Sequence, residues 1–387
     1  MSRKVEEEFI KASLNFFRDL KKGLTPKKKN SRINDIFRII KKKYLERLLS
    51  LDDIREAFTW VVLHLGKPLR SISDEEFITQ FRSDILTTKT YDFYFPIYCL
   101  YGFPKDVKLG YATVMGFDDL PIEIRNYFVL LWKHQFSIGT ECHRTEDEYV
   151  NLKKRSTFIN LVVKANGHSK AIEEARSLAE DALHILRFLY QINFNIIDIR
   201  YIVKENKNEG GMENIAGLPF IGGANYVKLF GERIPVLTDI FIKSNPNEIE
   251  KKIRNAIRIF GIQTSVANDQ VRFVLLVTCL ESLLMTVSDR DYILWKLAEK
   301  TAFVLGKNKK EINEYVKWAY EKRSAFIHGS RGKEDIVTKD DIYTAQGIVT
   351  SVMWKLFDFI KDGYTQIQKG KDVKSIDGYI EEIKFRK

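Results

Sequence analysis

The stretch "IRNAIRIFGIQTSVANDQVRFVLLVTCLESLLM", Ile253 to Met285, decides the fold class. Ile249, Ile253, Ile257 and Ile259 recur near helical spacing, and a second apolar run follows a polar break at Ala267 to Gln270. Two amphipathic helices joined by a short turn are predicted, the second over about Asn268 to Met285. Pro246 suits the first turn of the first. Further helices are expected over Asp291 to Leu305, from Lys309 to His328, and over Lys339 to Ile360. Gly329 stands where a helix usually terminates. Connections this short imply antiparallel neighbours, so residues 245–387 read as an all-α bundle.

Working back towards the N-terminus, the pattern changes. "YDFYFPIYCLYGFP" and "VKLGYATVMGF" are aromatic and β-branched runs broken by Gly and Pro, and read as short strands in a hairpin-like arrangement. Core packing is the expected use of Tyr91, Phe93, Tyr94 and Phe95, with base stacking the rarer one. "STFINLVVKANG" is another strand, followed by a long helix over Ala171 to Tyr190, and "NIIDIRYIVKE" and "ANYVKLFG" look like further strands. Residues 90–244 are thus a mixed α/β region. Residues 1–89 read as helices, with one stripe at Phe9, Ala12, Leu14, Phe16, Phe17 and Leu20. A second runs through Ile33, Ile36, Phe37, Ile40, Tyr44, Leu45 and Leu48, and a third helix is expected over Asp52 to Leu65. The fold class is α+β overall.

The chain has 387 residues, enough for two or three cores, and a formal net charge of +11. Residues 1–50 hold 15 Lys and Arg against 6 Asp and Glu. Such an excess attracts polyanions, chiefly nucleic acid. Lys27, Lys28, Lys29, Lys41, Lys42 and Lys43 are the candidate RNA-backbone contacts, against the alternative of a solvated helical face. Three cysteines, Cys99, Cys142 and Cys279, are too few and too scattered for a disulfide framework or a four-ligand zinc site. Glu141, Cys142 and His143 lack a second ligand pair, so no metal or cofactor is expected. "GGMENIAGLPFIGG" lacks the Gly-Lys-Ser/Thr ending of a phosphate loop and reads as turns. Glu6 to Glu8 exclude a secretory apolar core, and the run Phe273 to Met285 is too short to span a bilayer. A cytoplasmic protein with no membrane partner is expected.

The stretch that carries chemistry is "WAYEKRSAFIHGSRG", in which four residues separate Arg323 from His328. Ile312, Tyr315, Val316 and Ala319 form an apolar stripe, and Arg323 falls on it. A guanidinium there must be paired or must serve a ligand. Arginine offers phosphate a planar fork of donors. Histidine can shuttle a proton, and the last carbonyls of its helix favour a cation there. The pair fits cleavage of a phosphodiester by the RNA's own 2′-hydroxyl. One geometric difficulty stands: on a regular helix the step from Arg323 to His328 turns about 140°. A distorted last turn or a dimer interface would resolve it. The alternative is structural, with Arg323 capping carbonyls or pairing with Glu281, and His328 merely ending its helix.

Residues 245–362 resemble the HEPN family of helical ribonuclease domains, in particular its ApeA-like branch. The amphipathic helix followed by one ending Leu280, Glu281 and Leu283 carries the likeness, as do "LWKLAEKTAFVLG" and "YEKRSAFIHG", with Arg323, Ser324, His328 and Gly329 all matching. The strand "FINLVVKANG" leading into an Ala-rich helix is similar to what often precedes such domains, while the basic N-terminal helices have no counterpart. The resemblance implies a homodimer whose two motifs face each other across a cleft. It also implies metal-independent endonucleolytic cleavage of RNA, tRNA among the candidates, leaving a 2′,3′-cyclic phosphate and a 5′-hydroxyl. Arg323 and His328 carry over as catalytic residues, and Glu281 and Ser324 as supporting ones, Glu281 as an orienting or structural partner. Anti-phage defence, with residues 90–244 sensing a phage-derived trigger or the substrate, is the implied role. The alternative is a non-catalytic nucleic-acid-binding or regulatory protein that uses the helical domain to dimerise.

Overall fold

The computed structural model describes residues 3–22, 68–82, 88–101, 106–137, 145–147, 156–191, 221–222, 233–286, 291–306, 308–329, 337–361 and 375–385, with single positions 33, 34, 36, 53, 54, 58, 150 and 289. In chain order the elements are α1 (Arg3–Lys21), α2 (Asp74–Phe81), β1 (Lys89–Tyr101), β2 (Val107–Leu109), β3 (Ala112–Gly116), α3 (Ile122–Ser137), β4 (Ser156–Ala165), α4 (His168–Tyr190), β5 (Ile221–Gly222) and α5 (Ile234–Ile242). Then follow α6 (Glu248–Ser265), α7 (Asp269–Leu284), α8 (Ile293–Leu305), α9 (Lys309–Ile327), α10 (Lys339–Lys361) and α11 (Ile376–Phe385). The chain is mixed α+β and rich in helix. Two compact units divide it: residues 1–95, 160–178 and 199–212 form one, and 96–159, 179–198 and 213–387 the other.

In the first unit, α1 is amphipathic and buries Phe9, Phe16 and Phe17. Phe17 stacks on Phe77 of α2 at 4.1 Å between ring centroids, and Phe16 meets Phe58 edge-on at 4.5 Å. Ser73 begins α2 with a reciprocal capping box closed by Glu76. Arg18 reaches from α1 to Asp74 in the first turn of α2, at 2.7 Å. The buried Asp53 carboxylate accepts from the backbone N–H groups of Ser169 (2.7 Å) and Lys170 (2.9 Å), satisfying the first turn of α4. Gly167 makes room for it, since a β-carbon there would lie 2.1 Å from the Asp53 Cγ.

The sheet has the order β2-β3-β4-β1-β5. The run "VKLGYATVMGF" forms a hairpin by itself, β2 pairing antiparallel with β3, while β4 lies between β3 and β1. Gly110, with φ +65°, supplies the left-handed residue that a two-residue turn between Leu109 and Ala112 needs. Strand β1 continues through Pro96 rather than breaking there. Its only other described ladder, with β5, begins at Leu100, so proline's missing N–H removes no bond on that side. Tyr91, Phe93, Tyr94 and Phe95 are all buried.

Helices α6 to α10 have the expected order and nearly the expected ends. Asn247, not the first turn behind Pro246, caps α6, accepting from Glu250 N–H at 3.0 Å while Glu250 returns to the Asn247 N–H. Pro246 therefore stands just outside the helix. Helices α6 and α7 form an antiparallel pair. Its register is fixed by the Cys279 thiol donating to Ala256 O at 3.2 Å and by Asn255 donating to Ser282 Oγ at 2.9 Å. Full burial pushes that thiol well above its usual range. α9 packs between α8 and α7, and α10 lies against α7. The C-terminal α11 is held by Lys300 on α8, whose ammonium sits between Asp289 (2.5 Å) and Asp377 (2.6 Å). Among the described residues no helix is long and apolar enough to cross a membrane.

Candidate active site

Val316 and Ala319 are the buried residues of α9, and Arg323 continues their stripe one turn further on. The stripe faces the neighbouring helices, so the guanidinium is carried inward with its apolar stem. There it meets Glu281, in the last turn of α7: Arg323 Nη2 lies 3.1 Å from Glu281 Oε2, with the two side chains 22% and 17% exposed. Burial raises the Glu281 carboxyl above its usual range, against the pull of Arg323. The guanidinium also lies 5.7 Å from the ring centroid of Tyr320, three residues back on the same helix. Burial, with Glu281 adding to it, raises the Tyr320 phenol. Arg323 Nε is buried and has no hydrogen-bond partner among the described residues. One limb of the fork is tied to a carboxylate and Nε is enclosed by protein, so a phosphate oxygen would have to be met by the terminal N–H groups of this part-exposed side chain.

His328 caps the same helix. Its N–H donates to Ser324 O at 3.0 Å, so helical hydrogen bonding persists up to it. Gly329 then turns the chain out with φ +71°, the left-handed conformation that glycine adopts without penalty. The imidazole is exposed, and Ser324 is half-buried with its carbonyl occupied by the cap. Because the last turn is not distorted, the 140° step stands: no hydrogen bond or ion pair joins Arg323 and His328. Arg323, Glu281 and Tyr320 form one cluster, and His328 stands apart at the helix end. Tyr320 was not singled out from sequence, although its spacing from Arg323 places it beside that residue. Of the two structural partners open to Arg323, the one realised is Glu281.

The six lysines proposed as RNA-backbone contacts lie outside the described residues, as do Glu141, Cys142 and His143 and most of "GGMENIAGLPFIGG". The strands expected in "NIIDIRYIVKE" and "ANYVKLFG" and most of the helix expected over Asp52 to Leu65 also fall there. Among the described residues no three His, Cys, Asp or Glu side chains converge in a way that could hold a metal ion. Comparison with family models, with curated proteins and with solved structures finds no match to this chain.

Proposed function

We propose that the chain is a metal-independent endoribonuclease of the HEPN type, working as a cytoplasmic homodimer in anti-phage defence. One observation carries this reading: the part-exposed Arg323, braced by Glu281, stands five residues before an exposed His328 that ends the same helix. The substrate's 2′-hydroxyl attacks phosphorus, the bond to the 5′-oxygen breaks, and His328 handles the proton that moves between those oxygens. Arg323 stabilises the charge that gathers on the non-bridging oxygens. Glu281 holds the guanidinium in place, and Ser324 lies beside it on α9. Two chains supply the site, the arginine and histidine of each being turned apart.

The test is cleavage of mixed RNA by the purified protein in excess chelator, wild type beside Arg323→Ala and His328→Ala. Each substitution is expected to slow cleavage about 100-fold or more while folding and size in solution are kept. Products should end in 2′,3′-cyclic phosphates. Undiminished cutting by His328→Ala overturns the reading. The Arg323–Glu281 ion pair favours a second one, in which the arginine only braces α9 on α7 and the domain dimerises without catalysis. RNA left intact by the wild type, together with an Arg323→Ala variant that unfolds, supports that second reading.

A further inference from the structure

Helices α8 and α9 carry large aromatic rings that the bundle leaves uncovered. Trp295, in the first turn of α8, is 57% exposed, and Tyr292, just ahead of that helix, is 77% exposed. Tyr292 also holds a left-handed backbone, φ +63° and ψ +36°, uncommon for so bulky a residue. Across from them on α9, the Lys317 ammonium lies 3.7 Å from the centroid of the Trp295 ring. Lys317 makes no ion pair among the described residues. An exposed aromatic ring beside a cation is what a single nucleic-acid strand requires: a base stacks on the ring, and the cation holds the backbone.

The helix sets where this shelf lies relative to the proposed chemistry. At 100° per residue, Lys317, Ser324 and His328 fall within about 40° of one line along α9, and Tyr320 borders that line. Lys317 and His328 are roughly 16 Å apart along the axis, within reach of a few nucleotides.

From this arrangement we propose that Tyr292, Trp295 and Lys317 form a binding shelf for the bases and backbone of single-stranded RNA flanking the cut. The proposal rests on the ribonuclease reading for its substrate, but not for its test. The probe is a fluorescent single-stranded RNA carrying 2′-O-methyl groups throughout, which can bind but cannot be cut by its own hydroxyl. Binding to the full-length protein is followed by anisotropy, for wild type, Trp295→Ala, Trp295→Phe and Lys317→Gln, with melting and size in solution measured alongside. Stacking on one ring predicts a loss of affinity of roughly tenfold for Trp295→Ala, with most of it restored in Trp295→Phe. Lys317→Gln should weaken binding and flatten its dependence on salt. Trp295 is exposed, so the fold should survive its loss.

If Trp295→Ala binds the probe within twofold of wild type, the shelf is overturned, even where wild type cuts RNA and His328→Ala does not. If it loses affinity while the wild type cuts no RNA, the shelf stands and the ribonuclease reading fails. A Trp295→Ala protein that changes its oligomeric size and keeps its RNA affinity overturns the shelf in favour of a protein interface.

Discussion

Acidification from pH 7 to pH 5 should loosen the contact between α4 and α6, and His184 is the reason. The imidazole is 12% exposed, packed where Gly261 lets the two helices approach closely. Burial, with Arg187 next to it, lowers its pKa from 6.5 to about 4, Asp181 opposing and Arg258 assisting. Arg187 Nη1 lies 3.3 Å from Nδ1. Glu180 comes within 4.0 Å of Nε2 but is half-exposed and shared with Arg187, and so offers little to a proton. The folded chain therefore binds this proton less readily than the unfolded chain. Stability from the neutral ring is complete above about pH 6.5, falls as the pH drops through the window down to about 4, and loses nothing more below it. The two values correspond to roughly 3 kcal/mol in all, of which about 2 kcal/mol is lost by pH 5. Slow hydrogen exchange at the imidazole C2, followed peptide by peptide in mass spectrometry, would titrate His184 directly. Unfolding midpoints at pH 7 and 5, wild type against His184→Gln, would give the energetic share. A midpoint near 6.5 for His184, or an identical pH dependence in the variant, refutes the reasoning.

Three further substitutions test the packing of the same unit. Gly261→Ala places a β-carbon 2.2 Å from His184 Nδ1 and 2.9 Å from its Cα, a backbone atom that cannot swing away, so a loss of about 1–3 kcal/mol is expected in thermal unfolding. Gly347→Ala, with nothing within 4 Å, should instead gain a few tenths to about 1 kcal/mol, and equal effects at the two glycines would refute the close approach of α4 and α6. Lys300→Met takes the nearer of two cations from the buried Asp289, whose carboxyl is held down at about 2 against the effect of burial by Lys300 and Thr286, and leaves it Lys296 at 3.4 Å. About 1.5–3 kcal/mol should be lost and α11 should exchange its amides faster, whereas a loss below about 0.5 kcal/mol would show the latch to be idle.

What could be read from sequence followed the strength of the local signal. Helices α6 to α10 have sharp boundaries because a polar break, a glycine or a capping asparagine stands at most of their ends, and each presents a clear face. α5 was not anticipated. Nine residues long, it buries most of its length, with Thr238 donating to Lys108 O at 2.6 Å and Tyr111 to Ile242 O at 3.0 Å, so no polar face marks it as a helix. α3 was missed for the opposite reason: Ile122 and Leu130, 60% and 68% exposed, blur its apolar stripe. The insertion of β4 between β3 and β1 is a long-range pairing, and nothing in either strand's own residues encodes it. At the candidate site, the inward placement of Arg323 followed from the stripe, and Glu281 was one of two partners left open. The shelf of Tyr292 and Trp295 was not legible, because which side of α8 stays uncovered depends on where α9 and α11 pack.

The Arg323–Glu281 pair is where the two functional readings meet. A half-buried ion pair contributes little net stability, since desolvation offsets most of its Coulomb energy, whereas removing one partner is costly. Bracing α9 on α7 could be done as well by an apolar contact continuing Val316 and Ala319. What an apolar contact could not supply is a donor held rigidly at the end of a packed stripe, with its side chain still 22% exposed. Glu281 spends one limb of the fork to fix the guanidinium, and its own carboxyl, raised by burial, gives up its charge more readily than an exposed one when an anion competes for the arginine. On the proposed ribonuclease reading, a phosphate arriving at the terminal N–H groups of Arg323 meets a cation already oriented. On that reading the histidine acting with it lies about 140° around the helix, so a second α9 approaching from outside the bundle is the simplest way to bring an imidazole to that phosphate. On this reasoning a lone chain holds both catalytic side chains but only half of each site. Mixing Arg323→Ala chains with His328→Ala chains would then restore part of the lost cleavage, through the one site in each mixed dimer that keeps both groups.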